Sequence, residues 1–147
     1  MIKKITLDWL KEKGACVGGV EWFKKQEKSE PLEGLEALIA DNRLSWANWS
    51  IVRLMTYKQY VSYAVFSAEQ VIGIFEEKYP QDIRPRKAIE AAKECIEDPS
   101  VKNKKLAAAT YAATYAAADR TRMLLKILNY GMSLLKKVNL GQPIGGK

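Results

Sequence analysis

Tyr57-Lys58-Gln59-Tyr60-Val61-Ser62-Tyr63-Ala64-Val65-Phe66-Ser67-Ala68-Glu69-Gln70-Val71-Ile72-Gly73-Ile74-Phe75-Glu76-Glu77-Lys78-Tyr79, halted by Pro80, decides the fold. Its apolar residues recur every three or four positions, the period of an α-helix. Tyr57, Val61, Ala64, Ala68, Val71, Phe75 and Tyr79 make one stripe and Tyr63, Phe66 and Ile74 a second, which leaves Lys58, Gln59, Ser62, Glu69, Glu76 and Glu77 for solvent. A helix apolar on more than one side is covered on more than one side. The expectation is an all-α protein, a compact multi-helix bundle built around this buried central helix.

Working outward, the chain reads as helices throughout, with no strand-like alternation. Thr6 caps a short helix that ends before Gly14, a second carries Val20, Trp22 and Phe23, and Pro31 suits the first turn of a third, to Ala40. A fourth runs from Leu44 to Met55, and a sixth begins near Lys87, after Pro85, and runs to Glu97. Asp98-Pro99 starts a long alanine-rich C-terminal helix to Val138, slim enough over Leu106 to Ala118 for close approach of the central helix. Along it Leu106, Ala113, Arg120, Ile127 and Leu134 recur every seven residues. Arg120 is the one charge in that seam, so either it pairs with a carboxylate or the helix breaks there. The organisation expected is a single helical domain over 1–140, with short helices over 1–42, a core bundle over 43–140 and a flexible tail at 141–147.

A chain of 147 residues is long enough to bury a continuous core. The net charge of +7 is confined to one region: from position 101 onward there are 9 Lys and Arg against 1 acidic residue, while the preceding hundred positions nearly balance. Such a region attracts anions, whether nucleic acid or an acidic protein surface. Histidine is absent and the two cysteines, Cys16 and Cys95, lie far apart, so Cys/His metal sites and histidine relays are excluded, and no P-loop or dinucleotide fingerprint occurs. Carboxylate pairs such as Glu90 and Glu94 lie beside lysine or arginine on helix exteriors, as solvated partners do. The expectation is a non-enzymatic protein with no catalytic residue, no metal and no cofactor. The basic start lacks the apolar run of a signal peptide and no stretch spans a bilayer, which implies cytoplasmic residence without membrane association.

Two faces are candidates for binding another protein. In the fourth helix Leu44, Ala47, Ile51, Leu54 and Met55 serve the core, so Trp46, Trp49 and Arg53 fall together elsewhere, and Trp and Arg dominate binding hot spots. The competing use of that face is to receive the N-terminal segment, whose Trp9, Leu10, Trp22 and Phe23 need burial. The second face is Tyr111, Tyr115 and Arg122 on the last helix. Arg84-Pro85-Arg86-Lys87 reads instead as a structural helix-start element, its arginines bonding to groups near Asp82 and the preceding turn.

The stretch from Glu69 through Pro80, then Asp82, Arg84-Pro85-Arg86-Lys87-Ala88-Ile89-Glu90-Ala91-Ala92 and the alanines of Leu106 to Ala118, resembles the immunity proteins of bacterial polymorphic toxin systems, over about residues 63–125. The segment Leu7-Asp8-Trp9-Leu10 to Cys16, with Val20-Glu21-Trp22-Phe23, resembles a leader found in small phage and prophage proteins. The resemblances imply a mobile-element protein that binds and neutralises or modulates another protein, a toxin or a host factor. The alternative is a nucleic-acid-binding accessory protein using the basic C-terminal helix.

Overall fold

The structure, a computed structural model, describes residues 4–98 and 120–139. It is all-α: α1 (Leu7–Glu12), α2 (Val17–Gln26), α3 (Pro31–Ala40), α4 (Leu44–Leu54), α5 (Tyr57–Lys78), α6 (Arg84–Glu97) and α7 (Arg120–Asn139). The expected packing of the central helix on Leu106 to Ala118, and the tail at 141–147, lie outside the described residues, as does the side chain of Arg120. No helix among the described residues is long and apolar enough to cross a membrane.

Side-chain caps set the starts of α1, α2 and α5. The Thr6 hydroxyl accepts from the Trp9 backbone N–H at 3.1 Å, and the Cys16 thiol takes the same place before α2, accepting from Gly19 N–H at 3.4 Å. Gly14 ends the α1 turn at a φ of +74°, in the left-handed region that costs glycine nothing. Asn42, at φ +55°, turns the chain from α3 into α4. Thr56 and Gln59 form a reciprocal capping box on α5, the Gln59 side chain accepting from Thr56 N–H at 2.8 Å.

The described residues group into two compact units, residues 4–54 with 132–139, and residues 55–98 with 120–131. In the first, Leu35 and Leu38 of α3 and Leu44, Ala47 and Ile51 of α4 are buried, and Lys136 pairs with Glu36 of α3 at 3.1 Å. In the second, α5 and α6 form an antiparallel hairpin. Val61, Val65, Ala68 and Ile72 pack on Ile89, Ala92 and Cys95. The other side of α5 is also closed, with Tyr63 and Ala64 fully buried and Phe66 stacked on Tyr130 of α7 at 4.1 Å, so α5 is covered on two sides. Burial pushes the Tyr57 phenol, beside Cys95 in this core, up to about 12.

Three details differ from the sequence expectation. Gln59 and Ser62, assigned to solvent, are buried; Gln59 is 1 % exposed because its amide belongs to the capping box. Ile74 and Tyr79, assigned to core stripes, are 57 % and 49 % exposed, because the Ile89–Ala92–Cys95 stripe of α6 meets α5 only as far as Ile72. Helix α6 starts at Arg84, three residues before Lys87, because Asp82 accepts the Arg84 backbone N–H at 3.1 Å and Pro85 needs no partner in the first turn.

Candidate functional site

On α4, Trp46 and Trp49 are half-buried and lie on the side away from Leu44, Ala47 and Ile51. The Arg53 guanidinium lies 3.9 Å from the centre of the Trp49 ring, and its Nη1 donates to the Trp49 carbonyl at 2.7 Å. Trp9 of α1 meets Trp49 edge-on, with centroids 6.2 Å apart and planes at 81°. Arg43 covers Trp46 at 4.9 Å while donating to Asp41 at 3.2 Å. The Trp22 indole N–H donates to the same carboxylate at 2.9 Å; that bond first, and Arg43 second, hold the Asp41 carboxyl below the usual range. The N-terminal helices therefore pack on the face that carries Trp46 and Trp49. They leave a pocket of about 330 Å³ between themselves and that face.

The closed end of the α5–α6 hairpin is built differently. Arg84 chelates Asp82 through Nε to Oδ1 at 2.8 Å and Nη2 to Oδ2 at 2.6 Å, which lowers the Asp82 carboxyl to about 2. Arg86 grips Glu76 of α5 with two donors, and Lys93 reaches Glu69 at 3.0 Å, so cross-pairs line the hairpin beside its apolar core. Lys87, on the same first turn, is exposed. Around these pairs Ile74, Tyr79 and Ile83 stand in solvent, Ile83 at 56 %, with Lys78 lying 5.5 Å from the Tyr79 ring. Sequence reasoning missed this trio. Ile74 and Tyr79 fitted helical stripes, and Ile83 fitted none; its signal was its place between two charged residues in a Pro-bounded turn.

On α7, Arg122 is exposed together with Leu125, Lys126 and Asn129, while Ile127 and Leu128 turn inward. Neither Arg122 nor Lys126 meets a carboxylate among the described residues. Tyr111 and Tyr115, expected beside Arg122, lie outside the described residues.

Asp82, Glu76 and Glu69 are engaged by arginine or lysine, and among the described residues no group of three or more Cys, Asp and Glu converges as a metal-ligand set. What the arrangement offers is shape, aromatic surface and positive charge. No curated protein and no solved structure matches the chain. A family model does: that of the Imm-5 like putative immunity protein matches residues 51–130, a segment that takes in the whole α5–α6 hairpin and reaches Tyr130 of α7. The match extends the 63–125 resemblance at both ends and covers more than half of the 147 residues, and by it the chain belongs to the Imm-5 like immunity protein family.

Proposed function

We propose that this chain is a non-enzymatic binding protein that neutralises a partner protein, a toxin or a host factor, as the family description implies. The observation that carries the reading is the exposure of Ile74, Tyr79 and Ile83, all within the family-matched segment and in the same stretch of chain as Lys78, Arg84 and Arg86. Apolar side chains exposed together inside a polar rim mark protein-interaction surfaces, and tyrosine and arginine are enriched at binding hot spots. Arg122 with Lys126 adds a cationic face for an acidic partner. The likeness of residues 7–23 to phage and prophage segments supports a mobile-element setting.

The test uses the tagged full chain and its Ile83→Asp variant, side by side, to capture proteins from the native host after nuclease treatment. Ile83 is exposed and makes no side-chain cap bond, so the variant changes the surface without removing a cap. One protein retained in near-equal amount by the wild-type chain and lost from the variant is the expected result. Capture seen without nuclease that vanishes with it, and that falls steeply with salt, would instead establish the nucleic-acid alternative.

A further inference from the structure

The pocket between the N-terminal helices and α4 has the makings of a ligand site separate from the partner surface. Its aromatic walls are Trp22 and Phe23 of α2 and Trp46 and Trp49 of α4, with Leu10 and Leu38 adding aliphatic surface. At about 330 Å³ it falls within the range of small-molecule sites. None of its 14 lining residues carries a formal charge. Gly14, Cys16 and Ser45 are the exposed members, so the mouth lies there and offers only a thiol and a hydroxyl. Inside the wall the Trp22 indole N–H is already bonded to Asp41, which leaves the Ser50 hydroxyl and the indoles of Trp46 and Trp49 as the polar groups of the lining.

Those properties select a ligand. An ion entering would lose its hydration and meet no counter-charge in the lining, which costs far more than the contacts return. A neutral planar molecule matches a lining of aromatic and aliphatic side chains and needs no counter-charge. A far smaller cavity lined by aliphatic and aromatic side chains already binds benzene. We propose that this pocket binds a small, uncharged aromatic molecule of one or two rings. All 14 lining residues precede residue 51, outside the family-matched segment, so the proposal stands apart from the partner-binding reading.

Two glycines make the site testable. Gly34 of α3 and Gly19 of α2 line the pocket, and a Cβ on either meets only ordinary contacts, 3.8 Å to Ile5 and 3.5 Å to the Cys16 sulfur. Larger side chains there extend into the pocket while improving helix propensity. Indole is the probe, with benzoate as its charged counterpart. Millimolar indole should raise the Tm of the full chain by a few degrees and slow alkylation of Cys16 by iodoacetamide at least threefold, because the thiol stands at the mouth; Cys95 is buried and serves as the internal control. Benzoate should do neither, and Gly34→Leu should retain its own Tm yet lose the response to indole. Should Gly34→Leu misfold, Gly19→Ala, with one methyl added, is expected to weaken the response. Absence of both effects of indole on the wild-type chain, an equal response to benzoate, or an undiminished response in a folded Gly34→Leu would overturn the proposal.

Discussion

Arg84 gives Asp82 three hydrogen bonds, two from its guanidinium and one from its backbone N–H, and this one contact both starts α6 and fixes a titration. The Asp82 carboxyl is held at about 2, below its ordinary 3.8, so the ionised form is favoured by folding. The stabilisation is complete above about pH 5 and is lost progressively as the pH falls through about 2. In Arg84→Ala, where the two side-chain bonds are gone and the backbone bond stays, a carbonyl-detected NMR titration should find the Asp82 midpoint moved up from about 2 toward its ordinary value. A midpoint still near 2 would show that the guanidinium is not the cause. The arginines near Asp82 were legible in the sequence as a local device, because the groups involved are two residues apart. The Glu76 partner of Arg86 was not, because it lies ten residues back across a turn whose geometry only the folded hairpin defines.

Among elements, α5 is the one whose sequence says most. Its double stripe announces cover on two sides, and α6 and Tyr130 supply it. The stripe does not say where cover ends. That depends on where α6 meets it, and so the exposure of Ile74 escaped a reading by periodicity. The two isoleucines of the hairpin should then behave in opposite ways. Ile89 is fully buried against α5, and Ile89→Ala should cost about 2–5 kcal/mol in urea unfolding. Ile74→Ser should stay within about 0.5 kcal/mol of wild type. Equal costs for the two would mean that the hairpin core is wrongly assigned. The capping of α5 teaches the same lesson at its other end. Gln59 looked like a solvent residue by type, and its place as the third residue after Thr56 was the available signal that it belongs to a capping box.

At the scale of the whole molecule, the all-α class followed directly from helical periods along the chain, and the immunity-family likeness from the α5–α6 segment that the family model matches. The aromatic pocket was beyond a linear reading. A void belongs to no residue, and this one needs α1 to α4 brought together, although the burial demand of Trp9, Leu10, Trp22 and Phe23 did point to packing against α4. The uneven charge was visible from composition, and the α7 sequence carries part of it as Arg120, Arg122, Lys126, Lys136 and Lys137 without one acidic residue. The central claim is that the chain acts by binding a protein through the closed end of the hairpin. Its most direct test is calorimetric titration of the captured partner with wild-type and Ile83→Asp chains at low and moderate salt. The account predicts at least about tenfold weaker binding by the variant, some 1.4 kcal/mol, and only a modest salt dependence for the wild-type chain. Equal affinity of the two chains for the partner would contradict it.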